Sequence, residues 1–528
     1  MSDRPIFWSD QLAYGTRQKF SDKEKYVCAS GISPSGIVHA GNFREIITSD
    51  FVVKSLKEQG EEVKFIYSWD EYDRFRKVPA NVPDEFEKYI GKPLTEVPDP
   101  EGCHDSYARH FEAQLEKELE DMHMNIEFIR QTEKFKNGEY AERIKKGLEK
   151  REKVKEILDK YRKEPLESPY YPVRVYCTEC GKDFTDVTDW NGEYTITYFC
   201  NECEEEREHD IREGRVKQPW RIDWPMRWDY EDVHFEPAGK EHSAAGGSRD
   251  TGNELAEEIY DKEPPVHQMY EFVTKDGAKI SSSSGEDVFT ISELKKVYSP
   301  EMIRFLFSET KPNKAFEIPF ESEEIIQIYD RFDRFEENYF GEGLENDKKR
   351  EHQERVYEIA MVEIPEEKPV RVPFKHAAFI AQTVPEEEWS SKGITSLRRT
   401  GHIPDDLTDS DSERILERLE RAKNWAREYA PEEYVYQINW DGEDSGFSDE
   451  EVEALQYLRD LLDEHDFEDS DELDDNIWDV RDECALDTGD FFETCYQALL
   501  QRDSGPRLST LIMSVGRQET EEILEKIV

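Results

Sequence analysis

Pro34-Ser35-Gly36-Ile37-Val38-His39-Ala40-Gly41-Asn42 lies between a strand-like run and a helix-like one. Before it, Tyr26-Val27-Cys28-Ala29-Ser30 has the length and apolar character of a buried strand. After it, Phe43, Ile46, Ile47, Phe51, Val52 and Leu56 recur at helical spacing. A strand, a glycine-bearing turn and a helix N-terminus form a cradle for anionic oxygens, because unpaired backbone N–H groups and the helix dipole both face the turn. Gly31, Gly36 and Gly41 would permit close approach, and His39 and Asn42, one turn apart, can donate to the same phosphate chain. A plain turn with a capping asparagine has the same residues, so this stretch alone leaves both readings open.

A second segment, Lys279-Ile280-Ser281-Ser282-Ser283-Ser284-Gly285, stands about 240 residues on. It follows a strand candidate, Val266 to Val273, and a Lys275-Asp276-Gly277 turn. A loop presenting Lys279 beside hydroxyl and backbone donors such as Ser281 and Ser282 can stabilise charge on a transferring phosphoryl or nucleotidyl group. A polar serine linker is the alternative. Taken with the first segment, the loop outlines an ATP site.

The 528 residues exceed one typical domain. No apolar stretch approaches the roughly 20 residues of a membrane span, and Met1-Ser2-Asp3-Arg4-Pro5 has no signal pattern, so a cytoplasmic protein without a membrane partner is expected. The formal net charge is -53, from 123 acidic against 70 basic residues, while 12% aromatic content argues for folding over disorder. Such composition resembles that of halophile cytoplasmic proteins, whose carboxylates are screened over about 3 Å in molar salt. Acidity opposes nucleic-acid binding, yet Arg143 to Lys163 holds ten Lys/Arg against four Asp/Glu. That stretch is either a solvated helix laced with ion pairs or an RNA contact.

Residues 1 to about 70 read as strand, helix, strand, opening a parallel nucleotide-binding sheet, with Glu62 to Asp70 as its second strand. Further strands are expected at Ile126 to Ile129, Arg221 to Trp224 and Val233 to Phe235, and helices at Tyr107 to Met124, Tyr140 to Arg162 and Asn253 to Tyr260. This makes 1–298 one α/β domain with an insertion over 71–215. From about Ser299 strand signals fade, and 299–528 reads as all-helical.

Cys177-Thr178-Glu179-Cys180 and Cys200-Asn201-Glu202-Cys203 are two C-x-x-C pairs with a hairpin-like stretch between them. Four thiolates so spaced fit tetrahedral zinc in a ribbon spanning about 170–215. Asp99, Cys103, His104 and His110 also offer ligand atoms, but their spacing matches no common ribbon.

In order along the chain stand the His39 segment, two metal-binding stretches, Asp223-Trp224-Pro225-Met226-Arg227-Trp228, Gly239-Lys240-Glu241-His242 with Gly246-Gly247-Ser248, the Lys279 loop and a helical half. This series resembles the class I lysyl-tRNA synthetases, with their HIGH and KMSKS signatures, in the form found in halophilic archaea. The resemblance implies a Rossmann-like catalytic domain with a zinc-binding insertion, then an all-α anticodon-binding domain like that of glutamyl-tRNA synthetases. It implies Mg-ATP, L-lysine and tRNA(Lys) as substrates, with zinc at Cys177, Cys180, Cys200 and Cys203 and a second site at Asp99, Cys103, His104 and His110. His39, Asn42 and Lys279 would be catalytic, with Gly36, Gly41, Ser281 and Ser282 completing the ATP site. Gly31, Ser33, Trp220, His242 and Tyr270 would hold the amino acid.

The loop departs from the family's K-M-S-S-S-K-G: Ile280 replaces methionine and Ser284 replaces the second lysine. Two other readings remain, a glutamate-type class I synthetase and a synthetase-derived RNA-binding protein without catalysis. A buried lysine ammonium also needs a carboxylate partner, which no spacing in the sequence singles out.

Overall fold

The computed structural model describes residues 5–79, 82–280, 288–341, 347–443, 446–467 and 469–528. The chain forms two compact units. The first comprises Met1–Leu294, Ile303–Ile318 and Glu351–Val362; the second comprises Lys295–Met302, Pro319–Arg350 and Glu363–Val528.

The first unit is built on a parallel sheet. Strand β1 (Lys25–Ile32) pairs with β2 (Glu62–Trp69), and β2 pairs with β3 (Glu127–Arg130), all in parallel. Helix α1 (Trp8–Lys19) packs on α2 (Ala40–Glu58), the crossover between β1 and β2, where Ser9 and Ser55 hydroxyls meet at 2.8 Å. Five successive residues of β1, Tyr26 to Ser30, are buried, as a strand covered on both faces requires. On its other edge β1 is flanked by two extended segments. Ala29 donates its N–H to the Phe235 carbonyl at 2.8 Å, and Val266 donates to that of His234 at 2.8 Å. Val233 to Phe235 and the stretch from Val266 thus extend the sheet as single bridges rather than full strands.

Within 71–215, β3 belongs to the central sheet, so the remainder forms two excursions. The first, between β2 and β3, carries helix α3 (Tyr107–Asp121). The second carries three antiparallel strands, β4 (Thr185–Trp190), β5 (Thr195–Cys200) and β6 (Glu205–Asp210).

Two expectations are corrected. Arg221 to Trp224 lies in a helix, α4 (Trp220–Tyr230), not a strand. Trp220, Trp224 and Trp228 recur every four residues, and packing of that stripe outweighs the short alternation of Arg221-Ile222-Asp223-Trp224. Residues 303–318 and 351–362 belong to the first unit although they follow Ser299. A strand at Phe316–Ile318 pairs in parallel with Val273–Lys275, and the buried Arg44 guanidinium donates to the carbonyls of Lys311, Pro312 and Lys314 at 2.9, 3.2 and 3.1 Å. Arg304 adds an ion pair to Asp50 at 2.7 Å.

Among the described residues the second unit is helical. Its core includes Trp425, whose indole donates to the Phe320 carbonyl at 3.2 Å, and Tyr329 stacked on Phe374. Capping boxes at Thr408 with Asp411 and at Ser448 with Glu451 start two of its long helices, using acidic residues where the helix dipole favours them.

Candidate functional site

The glycine-bearing turn leaves β1 at Ile32 and enters α2 with His39 as the N-cap, so the unpaired N–H groups of the first helical turn face it. His39 makes no capping bond with its side chain, and Asn42 follows one turn on. A side chain at position 41 would begin 2.9 Å from His39 Nδ1, so glycine there lets the imidazole lie against the helix start. Gly36 has no such neighbour within 4 Å and does not take a positive φ; nothing in the structure requires glycine there.

The two sequence segments meet at this turn. Ile280 Cβ lies 3.8 Å from where a Cβ of residue 41 would stand, and the Ala40 N–H donates to the Phe289 carbonyl at 2.8 Å. Both flanks of the second loop are therefore fastened to the start of α2. Of Lys279 the backbone is described, paired with Thr274 across a short hairpin. Ser281, Ser282 and Ser284 lie outside the described residues.

Beside the turn is a cleft lined by Gly31, Ser68, Trp220, Trp224, Trp228 and Glu236. Gly31 is needed for contact between strands: a Cβ there would fall 2.6 Å from the Ser68 carbonyl oxygen. Trp220 is half-exposed and stacks on Trp224, with ring centres 5.1 Å apart, and the exposed His242 ring lies 6.1 Å from that of Trp220. His242 Nδ1 is 3.3 Å from the Ser248 hydroxyl, which opens helix α5 (Ser248–Tyr260). Tyr270 donates its hydroxyl to Glu45 Oε2 at 2.6 Å. Ser33 sits half-buried just past β1.

Glu45 is the residue that the sequence did not single out. Its Oε1 also accepts from the Ser30 hydroxyl at 2.8 Å and the Gly31 N–H at 3.2 Å. Burial pushes this carboxyl up to about 7, against those hydrogen bonds and with the neighbouring Glu236 carboxylate adding to the rise. Glu236, buried and accepting from the Trp228 indole at 2.5 Å, is raised by burial as well. A half-buried carboxyl at Glu45 and a buried one at Glu236, the latter at the edge of the tryptophan cleft, favour a cation and disfavour an anion there. Asp70 is not available for that role, since Arg227 clamps it and also reaches Asp223 at 3.2 Å.

Two ligand clusters assemble elsewhere in the first unit. The sulfurs of Cys177 and Cys203 are 3.9 Å apart and those of Cys180 and Cys200 3.7 Å, with all four within 4.8 Å of one another. A zinc tetrahedron with Zn–S bonds of about 2.3 Å has edges of about 3.8 Å, so the thiols fit that ion. At the second cluster, Cys103 Sγ lies 3.0 Å from His104 Nδ1, 3.3 Å from His110 Nδ1 and 3.2 Å from Asp99 Oδ2. Asp99 is held by the N–H groups of Glu101, Cys103 and His104, which hold its carboxyl well below the usual range. One thiol, two imidazoles and one carboxylate converging in this way also suit a divalent metal.

Comparison with known proteins agrees with this geometry. The family model described as tRNA synthetases class I (K) matches residues 6–363. A lysine–tRNA ligase of Thermococcus kodakarensis is 41% identical over 521 residues, covering 97% of this chain and 98% of that one. Lysine–tRNA ligases of Borrelia garinii and Methanocaldococcus jannaschii are each 37% identical, covering 99% and 97% of this chain and 99% and 98% of theirs. The chain belongs to the class I (K) tRNA synthetases.

In this synthetase the Lys/Arg-rich stretch from Arg143 is a pair of short helices, Ala141–Glu149 and Arg151–Asp159, and most of its cations have partners. Lys145 pairs with Glu193 at 2.6 Å, Lys146 with Asp261 at 2.7 Å and Lys160 with Glu254 at 2.7 Å, while Lys150 donates to the Glu258 carbonyl at 2.8 Å. The arrangement is the ion-paired face, not an open cationic surface. No helix among the described residues of the synthetase is long and apolar enough to cross a membrane.

Proposed function

We propose that this synthetase is a lysine–tRNA ligase, activating L-lysine with Mg-ATP and transferring the lysyl group to the 3′-terminal ribose of tRNA(Lys). In the first step a lysine carboxylate oxygen attacks the α-phosphorus, forming lysyl-adenylate as the bond to pyrophosphate breaks. In the second a ribose hydroxyl attacks the acyl carbon, AMP departs with the acyl bond electrons, and the hydroxyl proton is lost. Such chemistry asks for alignment and charge stabilisation. His39 and Asn42 with the start of α2 would bind the phosphates together with Gly36, Gly41, Ser281 and Ser282, and Lys279 would meet the charge that develops on them.

The observation that carries the reading is Glu45, half-buried beside the turn and held by Tyr270, Ser30 and Gly31. It is the carboxylate that a lysine ammonium requires, with Trp220 alongside its stem and Gly31, Ser33 and His242 about its α-carbon groups. A glutamate substrate would bring a third carboxylate against Glu45 and Glu236. Relatives named for lysine, at 41% identity across nearly the whole chain, support the same reading.

Zinc is proposed for both ligand clusters, where it would add a cross-link between strands and loops beside the apolar clusters that contain Cys177, Cys200 and Val97. The helical second unit is proposed to read the anticodon, and the protein to work in the cytoplasm of a salt-accumulating cell. Pyrophosphate exchange in molar KCl, with and without tRNA, tests the activity. Lysine alone of an amino-acid panel should drive exchange, and His39→Ala and Lys279→Ala should each lower it on the order of a hundredfold with the fold intact. Exchange driven by glutamate, or none with any amino acid, would overturn the assignment.

A further inference from the structure

The glycine-bearing turn is held from outside by a helix that begins within the second ligand cluster. Residues 33–39 form neither strand nor helix, so their course depends on what anchors them. Tyr107, which opens α3 and is fully buried, donates its hydroxyl to the Ser35 carbonyl at 2.9 Å. Ile37 packs on the apolar cluster that holds Tyr107, Phe75 and Phe111, and the Tyr107 ring centre lies 5.3 Å from that of Phe75 and 5.0 Å from that of Phe111.

Helix α3 is in turn fixed along its length. At its start the Tyr107 N–H donates to the Val97 carbonyl at 2.8 Å, which closes a loop bearing Asp99, Cys103 and His104, while His110 follows within the first turn of the helix. Residues 101–105 are exposed, so hydrogen bonds to Asp99 and the ligand atoms themselves, rather than apolar packing, shape that loop. His104 and His110 stand three residues before and three after Tyr107, and an ion held by both would fix the residue between them. Midway, Glu116 accepts from the Trp69 indole at 3.0 Å and from Arg130 at 2.6 Å, tying α3 to β2 and β3. Farther on, the buried Glu118 accepts from the Ser292 N–H at 3.3 Å, in the helix Ile291–Val297 that follows the Lys279 segment. One helix therefore carries a ligand of the cluster, meets the turn and meets the flank of the second segment.

We propose that Tyr107 is a positioning residue for the ATP site, its hydroxyl fixing the Ser35 carbonyl and so the path of the chain into His39, and that an ion held by Asp99, Cys103, His104 and His110 governs ATP affinity through it. The inference rests on the ligase reading, which supplies ATP as the ligand of the turn. Tyr107 acts on the turn and not on the nucleotide. Without the hydroxyl the Ser35 carbonyl loses its donor, and the turn relaxes toward water, away from the course that aims its N–H groups at phosphate. Without the ion the loop before α3 loses its cross-link, and Tyr107 loses the fixed start that holds its hydroxyl at the turn.

In the test, Mg-ATP is titrated calorimetrically into the full chain, and the metal content and melting temperature of each variant are measured beside it. Tyr107→Phe keeps the ring and should weaken Mg-ATP binding about tenfold, raising the ATP KM in pyrophosphate exchange while the lysine KM and the metal content hold. Tyr26→Phe removes a hydroxyl that donates to the Phe20 carbonyl at 3.1 Å, at the far end of β1, and should leave Mg-ATP affinity at the wild-type value. Cys103→Ala/His104→Ala, which removes two exposed ligands, should release the ion of this cluster and weaken Mg-ATP binding to a similar degree. Adding Tyr107→Phe to that pair should then cost no further affinity. Affinity within about twofold of wild type in Tyr107→Phe, or an equal loss in Tyr26→Phe, would overturn the positioning role. An unmoved affinity in the ligand variant, or losses that multiply when the substitutions are combined, would overturn the link to the ion. Pyrophosphate exchange by the unsubstituted protein is run alongside. None with lysine would count against the ligase reading, whereas intact exchange with unmoved ATP affinity in Tyr107→Phe would count against Tyr107 alone.

Discussion

Glu45 lies three residues past Asn42 on the face of α2 that meets β1, where its carboxylate collects hydrogen bonds from Ser30, Gly31 and Tyr270. An ammonium needs the ionised form, and burial holds this group's pKa up at about 7. The protonated form therefore predominates below that pH, so lysine affinity should fall as pH drops through about 7, and lysine binding there should release a proton. Calorimetry in two buffers of different ionisation enthalpy measures this; equal heats in both would exclude Glu45 as the partner. Glu45→Gln should weaken lysine binding on the order of tenfold or more, since a charge-assisted contact becomes a neutral one. The sequence showed Glu45 as one acid among 123 acidic residues. Contacts to Ser30 and Gly31 on β1 and to Tyr270, 225 positions away, distinguish it from those at the surface.

At the scale of elements, β1 depends on a histidine from the neighbouring segment. Val27 donates its N–H to His234 Nδ1 at 3.0 Å, which requires that nitrogen to be unprotonated, and burial lowers the His234 pKa to about 4. An unfolded histidine titrates near 6.5. Between those values the unfolded chain binds the extra proton, so this group leaves stability untouched above about pH 6.5 and lowers it as pH falls toward 4. His234→Asn keeps an acceptor without the ionisation and should flatten that part of the acid slope, by on the order of 1–3 kcal/mol near pH 4. Unfolding curves across that range would show an unchanged slope if His234 were not responsible. The cysteine strands form a second such element. Metal analysis should find about two zinc ions per chain, and chelation should lower the melting temperature. One ion per chain would confine zinc to the four cysteines, and an unmoved melting temperature would deny the metal a structural role.

For the whole molecule, a net charge of -53 sets the conditions under which the fold holds. Carboxylate repulsion is screened over about 3 Å at molar ionic strength and over about 10 Å at a tenth of that. The melting temperature should accordingly rise from low to molar KCl; a fall would refute adaptation to salt. The sequence by itself determined the parallel β1–α2–β2 opening, the turn at His39, the four-cysteine cluster and the helical character of the second unit, because each is written in local spacing: strand length, helical period, C-x-x-C pairs. Helix α4 was legible too, in tryptophans four residues apart, but the alternation around Ile222 masked it. Tertiary structure decided the rest. It returned residues 303–318 to the first unit through the buried Arg44, brought Ile280 and Phe289 to the start of α2, gathered Asp99, Cys103, His104 and His110, and set Glu45 against Tyr270. Burial and long-range hydrogen bonds confer these roles on side chains, and neither is a property of the residues that adjoin them in the chain.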